Sequence, residues 1–181
     1  ETAALTAAVR KRVRAGVDER ARVPLESLAD LDVGEDRPDP IGLLTEQDRT
    51  RLQSLVPIRH ARMRATPFTF FRGGAAVMAS DLSRTPSTGL RAQLCGDAHL
   101  SNFGVFNGAD KRLVFDVNDF DETLPGPWEW DVKRLAASFA IVARHNDYGD
   151  SDERDLPRRA VAEYRAAMRG FADARYSDVW Y

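Results

Sequence analysis

Between Asp97 and Asp131 the chain carries eight carboxylates, Asp97, Asp110, Asp116, Asp119, Asp121, Glu122, Glu129 and Asp131, against two cations, Lys111 and Arg112. Carboxylates this crowded repel one another unless water or a cation separates them. A divalent metal is the usual remedy, and Mg2+ takes one or two carboxylate or amide oxygens while keeping waters or phosphate oxygens in its other positions. Asp97 directly follows a strand-like run, Asn102 lies five residues on in CGDAHLSNF, and Asp119 follows the return run of a hairpin. A hairpin brings its ends together, so the two loops are expected to meet at one end of a small sheet. Asn102 and Asp119 suit a metal, and Asp97 is then left to orient or deprotonate a hydroxyl. Kinases divide phosphoryl transfer in this way, with one Asp on the acceptor hydroxyl and an Asn and a later Asp on metal.

Two patterns extend that reading. Gly96-Asp97-Ala98-His99-Leu100-Ser101-Asn102 matches G-D-x-H-x-x-N at every fixed position, and Asp119 precedes Asp131 by twelve residues with Gly126-Pro127 between them. In both, the chain resembles the kinase-like small-molecule phosphotransferases, the aminoglycoside, choline and methylthioribose kinase group. The resemblance implies an α+β, mostly helical fold like the catalytic (C-terminal) lobe of protein kinases, with a small β-hairpin carrying the active-site loops. It also implies Mg2+ and ATP as cofactors, a hydroxyl acceptor of unspecified kind, and Asp131 as a brace for the catalytic loop. Asp116 fits the group's Asn-to-Asp interval better than Asp119 does, so it stands as the alternative metal ligand. His99 reads as a loop-bracing hydrogen-bond partner.

The stretches RMRATPFTFFRGGAAVMASDL, QLCGDAHLSNFG and FDVNDFDETLPGPWEWDVKRLAAS look like the uncharacterised bacterial family domain of unknown function 2252, over most of residues 38–181. That likeness implies a longer parent protein, with a GSVGT-like turn and a strand lysine after the catalytic lobe, a circular permutation of the kinase order. The chain alone is then expected to be inactive.

Several features depart from the kinase pattern. Cys95 stands where the phosphotransferases usually have His. No G-x-G-x-x-G occurs, and none of the three lysines, Lys11, Lys111 and Lys133, sits where a kinase pairs a lysine with phosphates. Phe71-Arg72-Gly73-Gly74 is the nearest approach to an anion loop, with Arg72 as a phosphate ligand or, equally, as a structural partner for one of the carboxylates. Two other functions therefore stay open: a non-catalytic, pseudokinase-like binding module, and a metal-dependent phosphoesterase using Asp97, His99, Asp116 and Asp119.

These residues need elements to position them. Leu90, Ala92 and Leu94 alternate as in a strand, and Phe103–Phe106 and Leu113–Val117 flank the turn Asn107-Gly108-Ala109-Asp110. Trp128, Val132, Leu135, Phe139 and Val142 follow a helical period, as do Leu156, Ala160, Tyr164, Met168 and Phe171 over 156–175. Helical segments are also expected after Pro40, with Ile41, Leu44, Leu52 and Leu55 on the apolar side, around 57–64, and over 73–84. An N-terminal unit over 1–40 joins a helix at 3–22, whose Leu5, Val9, Val13 and Val17 would lie on the body, to a loop at 23–40; the lobe follows over 41–181. The closing SDVWY carries no helix-stop signal.

Composition narrows the partners. Twenty-six Lys plus Arg against 28 Asp plus Glu give a net charge of −2, without the basic surplus that nucleic acid or anionic lipid calls for. No apolar run approaches the length of a membrane span. A single cysteine has no internal partner, which makes the reducing cytoplasm the expected compartment.

Overall fold

A computed structural model describes residues 2–31 and 34–174. The fold is α+β and mostly helical, with two small antiparallel sheets.

The first helix, α1 (Thr2–Arg22), corrects one expectation. Its Val9, Val13 and Val17 stripe is exposed rather than laid on the body; the Leu5 side chain lies outside the described residues, as does the closing SDVWY. The last turn is tied down by the Gly89 amide, which donates to Glu19 at 3.3 Å. Apolar residues four apart mark a helix without saying what covers it.

Helix α2 (Pro40–Asp48) starts where Asp39 accepts the amides of Ile41 and Gly42, with Pro40 in the first turn. It ends at Asp48, so Leu52 and Leu55 fall outside it and are exposed, leaving Leu44 as the buried member of the expected apolar side. Helix α3 spans Val56–Met63 and α4 spans Pro67–Gly73. The latter turns the aromatic cluster Phe68, Phe70 and Phe71 into a helix, begun by a capping box in which the Thr66 and Thr69 side chains and amides bond reciprocally. Gly74 separates α4 from α5 (Ala75–Leu82), which divides the helix expected over 73–84.

Strand β1 (Arg91–Leu94) pairs with β4 (Leu124–Pro127), and β2 (Phe103–Asn107) pairs with β3 (Leu113–Val117). Helix α6 (Glu129–His145) is central: it packs on α7 (Asp150–Asp173), on α4 and α5, and on the loop after β1. Helix α7 begins six residues before the expected 156, because Asp150, Asp152 and Glu153 favour a helix start ahead of Pro157. Its apolar side is half-buried near Leu156 and Tyr164 and exposed at Met168 and Phe171. The buried apolar residues include Met63, Leu82, Leu94, Ala98 and Ala143, a thin core that runs past the β1–α6 junction.

Candidate active site

The loop after β1 is shaped by Gly96. Its φ of +86° suits glycine, and a Cβ there would stand 2.0 Å from the Glu122 carbonyl oxygen. The β4 side of the sheet therefore presses directly on the catalytic-loop candidate. Asp131, in the first turn of α6, reaches the same loop from the other side: its carboxylate accepts the Cys95 amide at 2.7 Å and the Gly96 amide at 3.1 Å. Burial pushes the Asp131 pKa up, against the opposing effect of those two amides and of Arg134.

Asn102 joins the two loops. It is buried, its amide nitrogen donates to the carbonyls of Asp97 at 3.1 Å and Asp119 at 3.0 Å, and its side-chain oxygen accepts the Asp119 amide at 3.0 Å. The Asn118 amide also donates to the Asn102 carbonyl at 2.9 Å, continuing the β2–β3 ladder beyond Phe103 and Val117. The Asp97–Asn102 and Val117–Glu122 loops thus meet, held chiefly by one amide side chain.

His99 is buried beneath this junction. Its Nε2 lies 3.4 Å from Asp97 Oδ2, its Nδ1 3.1 Å from the Ser101 hydroxyl, and its ring meets Phe68 edge-on. Cys95 Sγ receives the Asn102 amide nitrogen at 3.5 Å. Burial first, then the Asp131 charge, pushes the Cys95 thiol up to about 11, so it remains protonated near neutrality.

These groups open onto a cleft of 1120 Å³. One wall holds Asp97, His99, Asn102 and Asp119; the other is built by α3 and α4 and contributes Arg59, Arg62 and Arg72, with Arg51 at its edge. Asp116 is not among the lining residues. It sits on β3 opposite Gly104, with its carboxylate accepting the Val117 amide at 2.7 Å. Of the two alternatives, Asp119 is the one that faces the cleft; its Oδ1 accepts the Asp121 amide at 3.1 Å.

A family model of uncharacterised proteins conserved in bacteria, domain of unknown function 2252, matches residues 51–181. The chain belongs to this family. No curated protein and no solved structure matches. In this member of family 2252 the matched span takes in both cleft walls and every candidate residue from Arg72 to Asp131.

The acidic crowd has a remedy that lies three residues beyond it. Arg134 on α6 is 2% exposed, donates from Nε to Asp97 Oδ1 at 2.7 Å and from Nη2 to the Phe71 carbonyl at 2.8 Å, and stands 4.3 Å over the Phe71 ring. It fastens α4 to the catalytic-loop candidate. Burial alone would raise the Asp97 pKa; the His99 hydrogen bond and the Arg134 charge and hydrogen bond outweigh it and hold the carboxyl below its usual range. Asp131 and Arg134 are one helical turn apart, so one face of α6 serves both the loop amides and the loop carboxylate. That spacing was readable in WDVKR, although nothing local marks Arg134 as the partner of Asp97.

Two more partners complete the picture. His60, unassigned from sequence, lies 2.6 Å from Asp48 on Nε2. Asp48 also draws Arg59 at 3.4 Å, and Arg59 Nη2 donates to the Gly73 carbonyl at 2.7 Å, fixing α2, α3 and α4 together along the cleft. Glu122 stands behind the acidic wall with its pKa raised, by burial first and then by Asp97, Asp119 and Asp121.

Proposed function

We propose that the chain is the catalytic lobe of a Mg2+-dependent, ATP-using phosphotransferase of kinase-like fold, acting on a hydroxyl acceptor. The observation that carries this reading is the junction at Asn102, which sets the Asp97 loop against Asp119 while Asp131 caps the amides of Cys95 and Gly96.

The side chains present fit a Mg2+ ion. Asp119 lines the cleft with Oδ2 outside the Asp121 hydrogen bond, and a carbonyl oxygen such as Asn102 Oδ1 has a second lone pair beyond the one given to the Asp119 amide. Mg2+ held by Asn102 and Asp119 would neutralise charge on the phosphate oxygens.

The protein's own part is positioning. Arg134 takes one oxygen of Asp97 and fixes the carboxylate plane, which leaves Oδ2, beside His99, to accept a hydrogen bond from the acceptor hydroxyl. A carboxyl held below its usual pKa is a weak base, so Asp97 orients the hydroxyl and receives its proton only as transfer proceeds. Ser101 and His99 keep the loop from yielding, and Asn102 keeps the Asp97-to-Asp119 separation constant.

A metal-dependent phosphoesterase has less support. It would need Asp97, His99, Asp116 and Asp119 around one ion, but Asp116 stands away from the cleft and His99 turns its ring nitrogens to Ser101 and Asp97. A non-catalytic binding module draws on two observations: among the described residues no lysine lines the cleft, and Lys133 Nζ is turned to the Thr85 hydroxyl at 3.2 Å. Asp97→Asn, made in the longer protein expected to carry the nucleotide lobe, separates the readings: phosphoryl transfer should vanish while Mg2+-dependent ATP binding, followed by calorimetry, stays within a few-fold of the unsubstituted protein. Unchanged turnover would refute the role of Asp97, and absence of ATP binding with or without Mg2+ would favour the binding module.

A further inference from the structure

The cleft wall opposite Asp97 is cationic and largely uncompensated. Arg59 is tied to Asp48, Gln47 and the Gly73 carbonyl, and so is structural. Arg62 and Arg72 are exposed to the cleft, and neither side chain has a hydrogen bond or ion pair among the described residues. Arg51 acts through space on Glu122 and on Arg59. Across the cleft the Asp97 charge is already answered by buried Arg134, which leaves Asp119 as a facing carboxylate with no ion pair among the described residues.

Arginines gathered on one wall of a concave surface raise the local potential and draw anions into it. A guanidinium fork matches phosphoryl oxygens bidentately, and several such forks exceed what a single carboxylate could occupy. We propose that Arg51, Arg62 and Arg72 form a receptor for the phosphoryl groups of a ligand lying between them and Asp97. A polycation or a quaternary ammonium group would meet repulsion there. The binding itself does not depend on the phosphotransferase reading; the further statement that this ligand is a reactant of Asp97 does rest on it. The phosphoryl groups come from the nucleotide or from a phosphorylated acceptor, and these two sources share the same chemistry at the wall.

Inorganic pyrophosphate is the direct probe, titrated calorimetrically into the protein without metal at low salt. Arg62→Glu/Arg72→Glu should weaken its binding by about tenfold or more, as expected for the loss of charge-assisted contacts. Arg62→Gln/Arg72→Gln should weaken it less, in the same direction, and guards against misfolding of the charge reversal. Arg165→Glu, one such charge reversal on exposed α7 outside the cleft, should leave binding within about twofold. Absence of pyrophosphate binding to the parent at millimolar concentration, or equal weakening in Arg165→Glu, would overturn the proposal. Displacement of pyrophosphate by Mg-ATP identifies the nucleotide as the source, and simultaneous binding identifies the acceptor; both outcomes support the wall. Arginine-dependent pyrophosphate binding without measurable phosphoryl transfer by the longer protein expected to carry the nucleotide lobe keeps the wall and removes the phosphotransferase. Transfer lost in Asp97→Asn, with pyrophosphate binding indifferent to Arg62 and Arg72, does the reverse.

Discussion

On the α6 side of the cleft, Asp97, His99 and Asn102 are held by partners from three elements, and the cation that answers Asp97 is itself 2% exposed. On the α3–α4 side, Arg62 and Arg72 have no partner among the described residues and stand in solvent. Both walls are rich in charge, but the charges stand in different relations to the fold. A buried charge must be paired to exist, so its position is fixed by the same contacts that stabilise the protein. An exposed arginine costs the fold little and keeps its hydrogen-bonding capacity for a ligand. On the proposed reading, geometry for chemistry sits on the acidic wall and recognition on the basic one.

The sharpest way to break this contrast is to remove one charge from each wall. Arg134→Met leaves Asp97 buried without its cation and should cost about 3–5 kcal/mol of stability, whereas Arg72→Met should stay within about 0.5 kcal/mol. Equilibrium denaturation of the two variants reads the difference directly. The pair Arg134→Met/Asp97→Asn should recover part of the loss, since the coupling of two contacting residues is not additive. If Arg134→Met proved as mild as Arg72→Met, the pairing would not hold the loop.

A smaller effect is expected from backbone alone. Gly96→Ala puts a non-glycine residue at φ +86° and a Cβ against the Glu122 carbonyl, so a loss of about 1–3 kcal/mol is expected from the strained conformation, with more where the β4 side has to retreat. Gly170→Ala, on a helix position where a Cβ meets nothing within 4 Å, is the matching control and should be neutral or stabilising. Equal losses at the two glycines would show that the loop tolerates movement, and the acidic wall would then be less rigid than its hydrogen bonds imply.

The parts of this arrangement that sequence conveyed are the ones set by local spacing. The period of Trp128 to Val142 marks α6, and the G-D-x-H-x-x-N loop and the hairpin after it place Asp97, Asn102 and Asp119 at one junction. Partnerships across the fold were not conveyed in the same way. Arg134 meets Asp97 over 37 residues of chain, and nothing in its own neighbourhood singles it out from Lys133 beside it. Strand β4 was hidden because Leu124-Pro125-Gly126-Pro127 has the composition of a turn. It pairs nonetheless, since a two-stranded sheet leaves the side without a proline N–H facing outward and Gly126 lets Leu94 approach closely. The valine stripe of α1 failed in the opposite sense, as a legible pattern that stays exposed in the described fold.

The least effect, and the finest test of the contrast within the acidic wall itself, is in acid. Asp97 and Asp131 are both part-buried, yet their pKa values move in opposite directions: Asp97 has His99 and Arg134 to outweigh burial, while Asp131 has amide donors whose effect burial exceeds. A carboxyl with a lowered folded pKa contributes stability that is fully present above its ordinary value, about 3.9, and is lost as pH falls through the folded value. A carboxyl with a raised folded pKa does the reverse, since the folded state binds its proton more readily; its penalty is complete above the folded value and is relieved on acidification. The stability difference between the parent and Asp97→Asn should therefore be constant near neutrality and shrink below about pH 4. For Asp131→Asn the part of the difference that changes with pH should instead lie above about pH 4, with the parent gaining relative stability as the pH falls. Urea denaturation at stepped pH measures both curves. If they ran parallel, Arg134 would not distinguish the two carboxylates, and the pairing assigned to Asp97 would lose its electrostatic content.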